Sequence, residues 1–408
     1  MKLRLMQWFT VNRIKRLSGW LLLTIVCLPL AGCWDQRELQ NRHFALAVAI
    51  DAADGSETGP ETFVQPYGGK QFRLSVELLD IMPSQGERRS ASAPKTHVIS
   101  NTGRSFLEMT RDMFGQLGNP IAWEHIQVIV ISQAALEAGG LDQLLDWFMR
   151  ETELRWRMRL FVTPGDARSI LEYKPPSGEP NGLFLGNMAR NYAKNPHVVG
   201  THEDIGFTTV RLDNKAPLVL PKIELADDII KLGGSAVIKK NGRLAGYLDE
   251  YDTMAERFIV GLEKSAIITT SCTDHPDYVY AFELFRHDTR LNPHVSGDNI
   301  YYTLDINMYG NIGEMQRCPE PHKHDTGNPE FIRKLELQFA EEVKQTVEHG
   351  LKVQQDMGVD VLNFARELKR HYPKKWEEVK DRWHEEVFPT IPVVVSVNVT
   401  IHQVGEHK

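Results

Sequence analysis

The sequence predicts an α+β protein: a multi-domain body of mixed and antiparallel sheets flanked by helices, with a long C-terminal helix and a final β-strand. Three observations carry this. Short apolar runs, bounded by Gly- and Pro-rich segments, recur through the first three quarters of the chain as strands do. Phe331, Leu335, Phe339, Val343, Val347 and Leu351 recur every four residues, which puts them on one helical face. Val393, Val395, Val397, Val399 and Ile401 then alternate with smaller or polar residues, the pattern of a half-buried strand. A length of 408 residues suits two or three domains, and 42% hydrophobic with 25% charged residues excludes a disordered chain and a polytopic membrane protein.

Taken in order, Phe44–Ile50 reads as a buried strand, 54–70 as a polar loop, Phe72–Leu79 as a strand and 83–95 as a second loop. Phe106, Leu107, Met109, Met113, Phe114 and Leu117 fall near helical spacing within 103–117. Ile126–Ile131 is a nearly continuous apolar run, expected as a buried strand, and Leu141–Met149 a helix. Trp156, Met158, Leu160 and Val162 alternate with Arg155, Arg157 and Arg159, which predicts a half-buried strand with a basic outer face. Asp166–Tyr173 reads as a helix; the segment 174–206 contains Pro175, Pro176, Gly178, Pro180 and Gly182, and a domain boundary is expected near 205. Ala236–Ile238 and Leu244–Leu248 flank Lys240-Asn241-Gly242-Arg243, a hairpin signal because Asn and Gly both tolerate positive φ. Strands are expected near 265–271, 278–286 and 300–309. Asn328 can cap the long helix with Pro329 in its first turn, and Gly358 interrupts it. Pro373 opens another helix with a Trp376, Val379, Trp383, Val387 stripe, closed by Pro389; core packing is the expected role of both tryptophans. The expected domains are 33–205, 206–262 with the hairpin, and 263–408, after an N-terminal segment of 1–32.

That N-terminal segment is an address. Lys2, Arg4, Arg13, Lys15 and Arg16 precede the uncharged stretch Leu17–Leu30, too short for the ~20 residues of a spanning helix and the right length for a signal-peptide core. Leu30-Ala31-Gly32-Cys33 follows, a branched residue, two small residues and a cysteine, which is the bacterial lipobox. Small residues admit the peptidase and the thiolate is the nucleophile for diacylglycerol transfer. Cys33 is therefore the expected lipid-attachment residue, holding the body to the outer face of a cytoplasmic membrane. Without the five cations, the remainder carries 42 Lys+Arg against 54 Asp+Glu, a net of −12, which argues against general nucleic-acid binding.

Catalytic motifs are missing. There is no G-x-S-x-G, no Walker loop and no G-x-G-x-x-G, and His202-Glu203 and His384-Glu385 both lack the second histidine of H-E-x-x-H. No catalytic residue and no cofactor is expected. Cys272 and His275 with Cys318 and His322, beside His324 and Asp325, have the residue types of a zinc site, but they fall in loop-like segments, and exported cysteine pairs more often oxidise or stay idle, so no metal is expected. Whether Cys272 and Cys318 join is open at this point. Arg155, Arg157 and Arg159 are expected as a solvated face near Glu151 and Glu153, with anionic headgroups or an acidic partner as the alternative.

Cys33-Trp34-Asp35-Gln36-Arg37-Glu38-Leu39, followed by Ala47-Val48-Ala49-Ile50-Asp51, resembles the start of the mature Ger(x)C lipoproteins, the C subunits of spore germinant receptors. His125–Ile131, Leu145-Asp146, Arg150-Glu151 and Leu154-Arg155 resemble the family's N-terminal domain. Gly234–Ile238 and Leu244–Leu248 resemble the start of its C-terminal region. Gly358-Val359-Asp360, Phe364, Tyr372–Trp376 and Trp383 resemble its terminal signature, with Ala365 departing from an expected glycine and the loops 54–70 and 83–95 longer than usual. The resemblance implies three α+β domains without an active site, a tether at Cys33 on the spore inner membrane, a polytopic A subunit and a transporter-like B subunit as partners, and a scaffold or coupling role in germination. A lipid-anchored solute-binding protein that captures the germinant is the main rival reading, disfavoured by a mostly segregated α and β pattern; a cell-wall hydrolase is a weaker one.

Overall fold

The structure is a computed structural model that describes residues 42–53, 69–79, 95–191, 197, 204–261, 265–273, 275–316 and 327–403. The signal segment, Cys33, most of the two expected loops, and Cys318, His322, His324 and Asp325 lie outside the described residues.

β1 (His43–Ala53), β2 (Gln71–Leu79) and β3 (Thr96–Gly103) form an antiparallel meander. α1 (Phe106–Asp112) follows, and its Ser105 hydroxyl accepts from the Glu108 amide. The two-residue β4 (Ile121–Ala122) lies parallel to the start of β1. The chain then runs through β5 (Val128–Ser132), α2 (Gln133–Gly139), α3 (Leu141–Arg150), β6 (Arg159–Thr163), α4 (Ala167–Glu172), α5 (Asn181–Arg190), α6 (Ile205–Asp213) and β7 (Leu218–Ala226). β8 (Ile229–Ile238) and β9 (Leu244–Leu248) complete a nine-stranded sheet ordered β3-β2-β1-β5-β6-β7-β8-β9, with β4 beside β1.

The middle of this sheet is parallel: β1 with β5, β5 with β6, and β6 with β7 through Val162 and Lys222. Both faces of these strands are covered, which is why they read as unbroken apolar runs. Ile129 and Ile131 pack with Leu136, Leu141, Leu145 and Phe148 on one side. Val128 and Val130 pack with Ala167, Ile170, Leu171 and Leu185 on the other. The two β-α-β connections are a departure from the segregated pattern expected of the sequence.

α7 (Glu250–Val260) leads to a second sheet of β10 (Ala266–Cys272), β11 (His275–Ser296), β12 (Asn299–Met315) and a last strand. α8 (Pro329–Met357), α9 (Phe364–His371) and α10 (Pro373–Val379) precede that strand, β13 (Val393–Gln403), which pairs parallel to β12. A parallel pair needs a long crossover, and the three helices supply it. Asn328 caps α8 by accepting from the Glu330 amide at 2.9 Å, Pro329 opens it, and left-handed Gly358 (φ +65°) ends it. The expected apolar stripe of α8 is buried against Phe282, Leu304, Ile306 and Met308 of the sheet.

The structure also corrects the sequence reading locally. β6 begins at Arg159, because residues 151–158 turn; Trp156 is exposed, and the inward residues there are Leu154 and Met158. The predicted helix over 103–117 is shorter, and Leu107 and Phe114 face outward. α5 lies in the Pro- and Gly-rich segment 174–206, for which no helix was expected. β3, α6, β7 and α9 had no counterpart in the sequence reading. Ala365 lies in the first turn of α9, and the left-handed conformation falls instead on Asn363 (φ +70°).

Candidate functional site

Three buried carboxylates organise the molecule. Asp51, at the end of β1, accepts from the Ala167 amide at 2.7 Å and the Arg168 amide at 3.1 Å, so it closes the N-terminus of α4 from more than a hundred residues away. Arg73 on β2 approaches the same carboxylate at 3.3 Å and also bonds Asp166. Glu77 on β2 accepts from the Asn181 amide at 2.8 Å and the Gly182 amide at 2.6 Å, at the start of α5. These contacts satisfy first-turn N–H groups that have no helical partner and place negative charge at the positive end of each helix.

The third carboxylate lies in the segment that resembles a terminal signature. Asp360 accepts from the Phe364 amide (3.1 Å), the Ala365 amide (2.6 Å) and the Trp383 indole N–H (3.0 Å). Tyr302 of β12 donates to the Phe364 carbonyl at 2.8 Å. Trp376 meets Trp383 edge-on at 5.4 Å between ring centroids, and Trp383 is fully buried. The signature residues thus come together as one packed knot: Gly358 makes the turn, Asp360 holds it, and Phe364 and Trp383 wall it. Burial pushes Asp51, Glu77 and Asp360 up from the ordinary carboxylate range, opposed by the hydrogen bonds each receives.

A cleft of about 680 Å³ opens beside this knot, between the β8–β9 turn, the end of α8 and the turns after α10. Lys239 and Lys240 line it together with Asp381, Glu385 and His384. Burial lowers the His384 pKa, and its Nδ1 accepts from the Asp360 amide at 3.4 Å, so the neutral ring carries its proton on Nε2. The cleft offers charges of both signs and a polar ring; no serine or cysteine lines it among the described residues.

Of the residues singled out in the sequence, Cys272 is disulfide-bonded and therefore has no thiolate to offer a metal. No group of three metal-ligating side chains occurs among the described residues. Arg155 and Arg157 are exposed, as expected, but on a turn rather than a strand. No described helix is long and apolar enough to cross a membrane. Asp51 and Glu77 were not singled out as functional by sequence; an acidic residue ending or interrupting an otherwise buried strand was the available signal.

The fold and its knots define a class: an α+β body whose polar signature residues hold its turns and helix ends together. A family profile described as "Spore germination protein N-terminal domain" matches residues 35–225, and one described as "Spore germination B3/ GerAC like, C-terminal" matches 233–405. The chain belongs to the Ger(x)C family of spore germination proteins. It is 27% identical to the spore germination protein YndF of Bacillus subtilis (strain 168), over 97% of this chain and 99% of that one. It is 22% identical to the spore germination protein KC of the same organism, over 94% of each chain. A solved structure described as "Crystal Structure of the GerBC protein" superposes with a TM-score of 0.57 and 16% identity, over 90% of this chain and 99% of that one, which establishes the shared fold.

Proposed function

We propose that the chain is the C subunit of a spore germinant receptor: a non-enzymatic coupling subunit, lipid-anchored through Cys33 to the outer face of the cytoplasmic (spore inner) membrane, beside a polytopic A subunit and a transporter-like B subunit. The observation that carries this is where the family match begins. It starts at Asp35, two residues after the lipobox cysteine, and runs on to 405 with one short gap. In this reading the anchor confines the body to a thin layer, so that weak contacts with membrane partners suffice.

The test is Cys33→Ala in the native host. The expected result is loss of the protein from membranes and impaired nutrient germination. A variant that stays fully membrane-bound, or a bare Cys33 thiol in the mass spectrum of the membrane protein, would overturn the tether. The charged cleft beside His384 supports a second reading, in which the body captures the germinant itself. Calorimetry with amino acids, sugars and nucleosides separates the two, since saturable micromolar binding favours capture.

A further inference from the structure

β1, β5 and β6 are parallel and in register, with Ala47 opposite Val128 and Val128 opposite Arg159. At about 4.8 Å per strand, Arg159 lies roughly 10 Å across the sheet from Ala47. His43, four residues before Ala47, and Trp156, three before Arg159, therefore emerge at the same edge of the sheet. Cys33 is ten residues before His43, a span of at most about 35 Å of extended chain. That length is an upper limit on how far His43 can stand from Cys33.

The chemistry at this edge is distinctive. Trp156 is 54% exposed, whereas Trp123, Trp147 and Trp383 are buried. Exposed Arg155 and Arg157 flank it. The Trp156 carbonyl accepts from the Gly206 amide at 3.1 Å, and a Cβ at Gly206 would stand 3.5 Å from the indole, so the ring lies against the start of α6. Phe207 and Val210, three apart on that helix, are 39% and 55% exposed. Arg150 is paired with Asp146 at 2.9 Å, and Arg155, Arg157 and Arg159 are matched by Glu151, Glu153 and the Asp204 carboxylate that caps α6, so this stretch is close to neutral while the exported body as a whole carries −12. An anionic surface repels a body of net −12, and repels it less through this edge, where Arg155 and Arg157 are exposed.

We propose that this edge is a membrane-docking face: Trp156, Phe207 and Val210 enter the interface of the bilayer, and Arg155 and Arg157 meet anionic lipid headgroups. The proposal rests on the tethered reading above and adds an orientation to it. Indole and phenyl rings settle at headgroup level, and guanidinium groups gain from negative lipids. The apolar contribution fixes depth, and the arginines make the contact dependent on lipid charge and salt.

The experiment uses the lipidated full chain purified from host membranes and reconstituted in phosphatidylglycerol vesicles with brominated acyl chains, which quench nearby indoles. Trp34, beside Cys33, reports the tether, and Trp156 reports the face. The expected result is that Trp156→Phe removes roughly half of the quenching and Trp34→Phe removes the rest. Arg155→Gln with Arg157→Gln should cut the Trp156 component several-fold on phosphatidylglycerol and leave it unchanged on phosphatidylcholine. Equal quenching in the wild type and Trp156→Phe overturns the face while leaving the tether intact, and points to water or a protein over Trp156. A bare Cys33 with no Trp34 quenching overturns the tether. The Trp156 component then decides the face by itself.

Discussion

The indole N–H of Trp383 donates to the Asp360 carboxylate at 3.0 Å, with the tryptophan fully buried and the aspartate 5% exposed. This single contact ties the turns after α10 to the entry of α9, and through Tyr302 to the second sheet. A buried charge is tolerable only where each oxygen is satisfied, and here three N–H groups share two oxygens.

Trp383→Phe keeps one aromatic ring, deletes the donor and leaves a void where the indole's second ring packed. A hydrogen bond to a charged group is worth about 1.5–3 kcal/mol, so the second sheet's unfolding transition in urea should weaken by at least that amount. Asp360→Asn leaves one acceptor oxygen for the same donors and should weaken it as well. The two losses should fall short of additive in the double variant, because both remove the same contact. Strict additivity would show that the contact contributes nothing.

Stability should respond to acid in two opposing windows. Asp51, Glu77 and Asp360 have folded pKa values raised above their ordinary 3.8, 4.5 and 3.8, so the folded state holds more protons just above those values. Their part of the stability therefore grows as pH falls from neutrality through the raised values toward the ordinary ones. His384 has the opposite sign: its folded pKa is lowered from 6.5, so stability is lost as pH falls from above 6.5 toward the lowered value. Urea midpoints against pH check this. Glu77→Gln should shrink the acidic window by its share and leave the part of Asp51 and Asp360, and His384→Gln should remove the His384 part below 6.5.

The sequence was legible where one period of burial dominates. The α8 stripe, the Val393–Ile401 alternation and the hairpin around Asn241-Gly242 each had a single signal and appear as read, although only Gly242 of the two turn residues takes a positive φ, +74°. Reading failed where tertiary contact overrides composition. The Pro-rich stretch before α5 looks like a linker, yet Glu77 caps that helix and Gly182 lets it lie against Leu46. Trp156 was placed inward by alternation, but Leu154 and Met158 take the buried positions because the chain turns there. The carboxylate knots were illegible because their partners lie on other elements, and Trp383 gave no hint that its N–H was committed to Asp360.

Two glycines should be sensitive to a single methyl. A Cβ at Gly182 would stand 2.6 Å from the Leu46 carbonyl oxygen, a backbone atom that cannot rotate away. One at Gly350 would meet the Ala255 Cβ at 2.5 Å, where α8 crosses α7. Gly182→Ala and Gly350→Ala should each cost about 1–3 kcal/mol by overpacking, read as lowered urea midpoints. In Gly350→Ala with Ala255→Gly, the space is returned, and most of the loss should be recovered.

The disulfide at Cys272 has a testable partner. The chain has four cysteines; Cys27 leaves with the signal segment and Cys33 is acylated in the proposed mature form, which leaves Cys318. Non-reduced peptide mapping should therefore recover the Cys272 and Cys318 peptides joined. That bridge would close a loop of about 45 residues containing the β11–β12 hairpin, and removing a native disulfide typically costs about 2–5 kcal/mol. Cys272→Ser, Cys318→Ser and reduction of the wild type should then destabilise the second sheet to the same extent. Reduction should have no further effect on either variant. A Cys272 peptide joined to Cys33 would assign the bridge differently and remove the tether with it, since a sulfur held in a disulfide cannot take the diacylglyceryl group.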